Sequence, residues 1–98
     1  MMTPYQRFQQ FHEENPDIYE RLKALALHAR TRGKARLGIR LLWERMRWDL
    51  TVETYDANSD YKLNDHYTRF YARLLMAQEP ALEGLFEIRE RSDNEEAA

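Results

Sequence analysis

The residues of this sequence whose type and spacing most clearly indicate binding chemistry are a cluster of basic residues, mostly arginines. Between positions 30 and 47, seven basic residues face a single acid, Glu44, so the net charge of this stretch is +6. The basic residues are Arg30, Arg32, Lys34, Arg36, Arg40, Arg45 and Arg47. Guanidinium groups at this density attract phosphate or an acidic protein surface. The segment therefore predicts a negatively charged partner.

A second polar group lies at the start of a predicted fourth helix. Arg69 and Arg73 are four residues apart, so they share one side of that helix, away from its apolar stripe. With His66 before them, they are typical of the outer face of a recognition helix. The alternative is a solvated face on which Asp65 pairs with Arg69, and the sequence pI of 5.9 favours that alternative. The candidate nucleic-acid-binding residues are Arg36, Arg40, Arg47, His66, Arg69 and Arg73.

Other motifs fall short of a metal-binding or catalytic pattern. Residues 56–60 resemble the start of a calcium loop, but Tyr61 occupies the glycine position and Tyr67 the bidentate glutamate position. The histidines, at positions 12, 28 and 66, lack the four-residue spacing of a zinc-binding helix. The chain has no cysteine. We therefore expect no metal, no cofactor and no enzymatic activity.

Helices must position these side chains. Thr3-Pro4 and Asn15-Pro16 each combine a capping residue with a first-turn proline, which predicts two helix starts. Apolar residues then recur at helical spacing up to Gly33, where the second helix is expected to stop. Later helices are expected to begin at Asn64 and at Pro80. The last of these contains Leu82, Leu85, Phe86 and Ile88. The pattern predicts a mostly α, compact bundle of four to five helices.

The third predicted helix, from about Gly38 to Leu50, carries two apolar stripes. One stripe consists of Ile39, Leu42, Trp43, Met46 and Leu50, and the other consists of Leu41 and Trp48. Two stripes favour contacts on two sides. We therefore expect this helix to be the central element, with Trp43 buried.

The segment after the third helix allows two structures. Thr51–Tyr55 is either a short strand or the end of the helix by residue type. A strand there would pair with Tyr61–Leu63, which predicts a short β-hairpin around 52–63. The organisation we expect is one helical domain over 4–91 and a disordered acidic tail over 92–98.

Composition restricts the class of protein. The formal net charge is −2, 43% of the residues are hydrophobic and 33% are charged, as in a globular domain. The sequence contains neither the ~20 apolar residues of a membrane span nor an N-terminal secretory pattern. We expect a cytoplasmic protein without a membrane partner, and the sequence leaves its oligomeric state open.

Several stretches together resemble a known family. They are FHEENPDIY at 11–19, GIRLLWE at 38–44, YKLNDHYT at 61–68, YARLLM at 71–76 and QEP at 78–80. Over about residues 8–91 the chain resembles a family of small uncharacterised helical proteins encoded by bacteria and their phages or prophages. The resemblance implies a mobile-element context and no particular activity. The order of the helices also resembles a helix-turn-helix domain.

Two functional hypotheses follow from these observations. The first is a small phage- or prophage-type accessory or regulatory protein that binds nucleic acid through a basic helical face. The second is a non-catalytic protein-interaction module, such as a phage-encoded inhibitor or adaptor of a host protein. Aromatic residues and arginine are the residue types that anchor protein interfaces, which favours the second hypothesis.

Overall fold

Four α-helices make up most of the described chain. The computed structural model describes residues 1–53 and 65–87. The helices are α1 (Pro4–Glu14), α2 (Pro16–Thr31), α3 (Ile39–Glu53) and α4 (Thr68–Gln78), and two 3-10 turns lie at Asp65–Tyr67 and Pro80–Leu82. This architecture confirms the predicted mostly α-helical bundle.

Local sequence explains how α1 begins and ends. Thr3 Oγ1 accepts a hydrogen bond from the backbone N–H of Gln6 at 3.1 Å, and Gln6 Oε1 accepts one from the N–H of Thr3 at 2.9 Å. This capping box satisfies backbone donors that have no partner inside the helix. Pro16 excludes Asn15 from the helical conformation and is itself the first residue of α2. Both predicted helix starts are therefore confirmed.

Gly33 ends α2, as its position in the sequence predicts. Its φ of +87° is a left-handed conformation that glycine adopts without strain. The N–H of Gly33 donates to the carbonyl of Arg30 at 2.9 Å, and the N–H of Lys34 donates to that of Ala29 at 3.1 Å. These two hydrogen bonds form a Schellman motif, which turns the chain out of the helix.

The helices bury one apolar core. Trp43 is 1% exposed, as the sequence predicts, and Tyr71 is fully buried. Phe8 joins α1 to α4, because its ring packs edge-on against Tyr71 with centroids 4.8 Å apart and stacks on Phe70 at 5.1 Å. The other fully buried large side chains are Ile18, Leu22, Met46, Leu75, Leu82 and Leu85.

The predicted last helix is wrong. Only Pro80–Leu82 form a helical turn, and Gly84 follows with a φ of +76°, a conformation that ends it. At Leu85 and Phe86 the chain is extended: the N–H of Leu37 donates to the carbonyl of Leu85 at 2.9 Å, and Phe86 forms a parallel β-bridge with Leu37. Leu85 and Phe86, two of the residues that suggested a helix, are thus buried in an extended segment, and Leu82 is buried in the 3-10 turn. Ile88 lies outside the described residues.

Of the two structures that the sequence allows after α3, the end of the helix is the one found over the described residues, and the strand is not formed there. α3 continues through Glu53, so the first residues of the proposed hairpin are helical. Arg21 of α2 holds this last turn through two hydrogen bonds to the Glu53 carboxylate, at 3.0 and 2.8 Å. The remainder of the predicted hairpin, and the predicted tail over 92–98, lie outside the described residues.

Candidate nucleic-acid interface and outer face of the third helix

The connection between α2 and α3 holds the most exposed positive charge of the described chain. Arg32, Lys34 and Arg36 lie in this connection, Arg40 lies in the first turn of α3, and all four are exposed. We refer to these four residues as the basic loop. Within residues 1–53 and 65–87, none of them forms an ion pair. Their charge therefore faces solvent, where it attracts anionic partners.

Arg30 has a different role from its basic neighbours. Its guanidinium donates to four backbone carbonyls: those of Ala81 at 2.9 Å, Lys34 at 3.0 Å, Ala35 at 2.8 Å, and Glu83. Five donors in a fixed planar fork make such a multiple contact possible for arginine. Arg30 thereby ties the loop after α2 to the segment after α4. The sequence suggested only its charge, because two of its four carbonyl partners, those of Ala81 and Glu83, come from distant residues.

Arg47 belongs to an ion-pair network. Its Nη2 donates to Oδ1 of Asp65 and lies 3.5 Å from Oε1 of Glu44. The same Asp65 oxygen accepts a hydrogen bond from Nε1 of Trp43 at 3.0 Å. Asp65 was the carboxylate proposed for a pair with Arg69, but two donors of α3 engage it. Arg47 therefore positions the turn that leads into α4.

The three candidate residues nearest α4 differ in exposure. His66 is exposed, whereas Arg69 and Arg73 are half-buried. The guanidinium carbon of Arg69 lies 4.7 Å from the ring centroid of Phe70, a cation–π geometry. All three residues make further interactions in the structure. The predicted six-residue site thus divides: Arg36 and Arg40 present their charge to solvent, and the others contribute to contacts within the chain.

Ion pairs occupy other cations of α2 and α3. Arg21 binds Glu53 at 2.8 Å, Lys23 binds Glu20 at 3.2 Å, and Arg45 binds the carboxylate of Asp49 at 3.2 Å. The hydrogen bonds of Glu53 raise the pKa of Arg21, and those of Arg21 lower the pKa of Glu53. The basic loop differs from these cations, because none of its four residues forms an ion pair in the described chain.

α3 exposes a second apolar stripe to solvent. Leu41, Trp48 and Val52 are 61%, 64% and 56% exposed and lie on the side of α3 opposite the core residue Trp43. We refer to Leu41, Trp48 and Val52 as the outer face. α3 contacts both α2 and α4, but the prediction that Leu41 and Trp48 make contacts of this kind is wrong, because both side chains are exposed. A second apolar stripe on a helix still indicates a contact with another surface. No described residue of this chain provides that surface, because Leu41, Trp48 and Val52 are exposed.

Three buried polar atoms between α1, α2 and α4 have no hydrogen-bond partner among the residues that the structure describes. They are Nδ1 of His12 and the hydroxyl oxygens of Tyr19 and Tyr71. The His12 ring centroid lies 5.5 Å from that of Tyr19 and 5.7 Å from that of Tyr71. Burial raises the pKa of both tyrosines, so both hydroxyls stay protonated. Sequence spacing contained no signal for this cluster, because its members come from three helices.

Neither the described geometry nor a comparison with known proteins identifies a relative of this chain. In the described ranges, no three His, Asp or Glu residues are grouped as a metal site requires. None of the helices in those ranges has the length and hydrophobicity of a membrane span. No protein-family model matches the chain, and no curated protein or solved structure matches it. The resemblance to small phage-encoded proteins therefore stays a prediction.

Proposed function

We propose that this protein binds the phosphate backbone of a nucleic acid through the basic loop. The observation that carries the proposal is the exposure of four cations between positions 32 and 40, none of them in an ion pair within the described chain. Phosphate contacts provide most of the affinity of such complexes and depend on charge density more than on overall pI. They position the protein without reading base sequence.

Arg30 supports the proposal by shaping the basic loop. Its hydrogen bonds to the carbonyls of Lys34 and Ala35 hold the backbone from which the neighbouring cations project. A loop that is ordered before binding loses less conformational entropy when it meets a phosphate. Arg30 is thus a positioning residue in this proposal. The resemblance suggests the biological setting, a phage or prophage accessory or regulatory protein.

Binding of labelled duplex DNA, followed by fluorescence anisotropy at low salt, tests the proposal. Arg36→Glu should weaken binding several-fold and reduce the dependence on salt, because each lost phosphate contact removes about 0.9 from the logarithmic salt slope. The matched control is Arg7→Glu, which removes an exposed cation of α1. An equal effect of the two variants contradicts the proposal, as does the absence of binding at micromolar protein.

A protein-interaction module is the second candidate, and a separate observation favours it. Trp48 is 64% exposed at the centre of the outer face, although tryptophan is seldom left so open. Aligned exposed apolar side chains are typical of protein contacts. If this candidate is correct, Trp48→Ala removes a protein contact that Arg36→Glu leaves intact. If nucleic-acid binding is the function, Arg36→Glu weakens DNA binding and Trp48→Ala leaves it unchanged.

A further inference from the structure

The three residues of the outer face lie on one side of α3, along the length of the helix. Leu41, Trp48 and Val52 are spaced by seven and four residues, so they align along about 16 Å of helix at 1.5 Å per residue. Their exposed fractions, 61%, 64% and 56%, show that most of each side chain is open to water. Covering such a stripe is favourable because it removes apolar area from water.

Two opposite charges border this stripe on one side. Arg45 and Asp49 form an ion pair at 3.2 Å, with 63% and 30% of their side chains exposed. At four residues apart they lie on one flank of the helix. The outer face is therefore an apolar stripe with a positive and a negative group along the same edge.

We infer that the outer face binds the same surface of a second copy of this chain, with the two α3 helices antiparallel. A two-fold axis through the stripe puts Leu41 against Val52 of the second copy and the two Trp48 side chains near the axis. It also brings the same flank of each helix together. Arg45 of one copy then faces Asp49 of the other, and this pair occurs twice.

Charge favours a second copy over another occupant. Each flank carries both members of the pair, so an antiparallel copy supplies an opposite charge at both positions without any change in the sequence. Three apolar side chains from each copy make a small interface, at the low end of the range for specific complexes. We therefore expect a dimer that dissociates on dilution. This inference goes beyond nucleic-acid binding by the basic loop and does not depend on it.

Sedimentation equilibrium of the full chain tests the inference through a charge exchange. Arg45→Asp and Asp49→Arg each give the flank a single sign of charge, so each variant should stay monomeric at concentrations where the native chain dimerises. An equimolar mixture of the two variants should recover the dimer, because each like-charged flank then meets one of opposite charge. The charge-reversal control Arg7→Asp, on α1, should dimerise like the native chain.

Trp48 provides an independent measurement. Its emission should shift to the blue as the concentration of the native chain rises, while Trp43 is already buried and contributes no shift. Trp48→Ala should remain monomeric with an unchanged circular dichroism spectrum, because Trp48 lies outside the core. A native chain that is monomeric up to millimolar concentration overturns the inference, and so does a mixture of charge variants that stays monomeric. The former result favours a different protein as the occupant of the outer face.

Discussion

Trp43 and Asp65 are joined by a hydrogen bond from the indole Nε1 to Oδ1 at 3.0 Å, although 22 residues separate them in sequence. The indole is 1% exposed, so its N–H would otherwise be buried without a partner. Asp65 also receives the guanidinium of Arg47. One carboxylate therefore fixes the start of the second described range, 65–87, against the middle of α3.

Removing the Trp43 side chain should be among the most destabilising single changes in this chain. We expect Trp43→Ala to lower the free energy of unfolding by about 3–5 kcal/mol, the usual range for truncating a large buried aromatic residue. Urea denaturation measures this loss. As an independent check, the Trp48→Phe variant should retain the blue-shifted emission of a buried indole. Emission typical of an indole in water would contradict the burial of Trp43.

Two arginines of α3 should respond differently to charge reversal. Arg47→Glu places a carboxylate beside Asp65 and Glu44, so it should lower the free energy of unfolding by about 1–3 kcal/mol. Arg40→Glu affects an exposed residue and should change stability by less than about 1 kcal/mol while it weakens DNA binding. Thermal denaturation and anisotropy titrations on both variants separate the two effects. Loss of DNA binding by Arg47→Glu with full stability would restore Arg47 to the interface.

Arg30 should be needed for stability in a way that lysine cannot replace. Arg30→Ala leaves four carbonyls without their donor, and we expect the free energy of unfolding to fall by about 1–3 kcal/mol. Arg30→Lys keeps the charge, but one ammonium group cannot reach carbonyls on both sides of the guanidinium. Denaturation curves of the two variants should therefore be similar. Native stability in Arg30→Lys would show that charge alone matters at this position.

The Tyr71 hydroxyl should lower stability. It is buried without a hydrogen-bond partner, which costs the desolvation of a polar group. We expect Tyr71→Phe to raise the free energy of unfolding by about 1 kcal/mol, because the ring remains and the penalty disappears. Tyr19→Phe should act in the same direction. A decrease on denaturation in urea would instead indicate that a buried water satisfies the hydroxyl.

The Arg21–Glu53 pair should make stability depend on acidity. The hydrogen bonds from Arg21 lower the pKa of Glu53 in the folded chain, so the charged carboxylate stabilises the fold at neutral pH. This contribution is present above the ordinary glutamate pKa and is lost as the pH falls through the lowered value. Glu53→Gln should therefore be less stable than the native chain at neutral pH and equally stable in acid. Glu13→Gln is the control, because Glu13 is an exposed carboxylate of α1 that forms no ion pair within the described residues.

Local patterns were enough to predict three of the four helices in detail. Thr3-Pro4, Asn15-Pro16 and Gly33 specify where α1 and α2 begin and end through capping, proline geometry and a left-handed turn. The spacing of the apolar residues of α3 predicted which side enters the core, including Trp43. These features depend on residues within one or two turns of each other, so the sequence contains all the information that they require.

In two segments, tertiary contacts and not the local pattern decided the secondary structure. Leu82, Leu85 and Phe86 have the spacing of a helix. However, the backbone N–H of Leu37 pairs with an extended chain at Leu85, and Gly84 permits the turn before it. Thr51 and Val52 have strand-forming side chains. α3 nevertheless continues through Glu53, where Arg21 of α2 meets the last turn.

The sequence by itself determined that this chain is mostly helical, where its positive charge is concentrated, and that α3 has two apolar stripes. Which arginines expose that charge was decided only by tertiary structure. Arg30, Arg36 and Arg47 are equivalent in a charge count, but distant carbonyls bind Arg30, Asp65 binds Arg47, and Arg36 remains open. Periodicity likewise does not say which stripe of α3 meets the other helices. The physical reason is that a partner's position depends on how the helices pack, whereas periodicity and charge are properties of one segment.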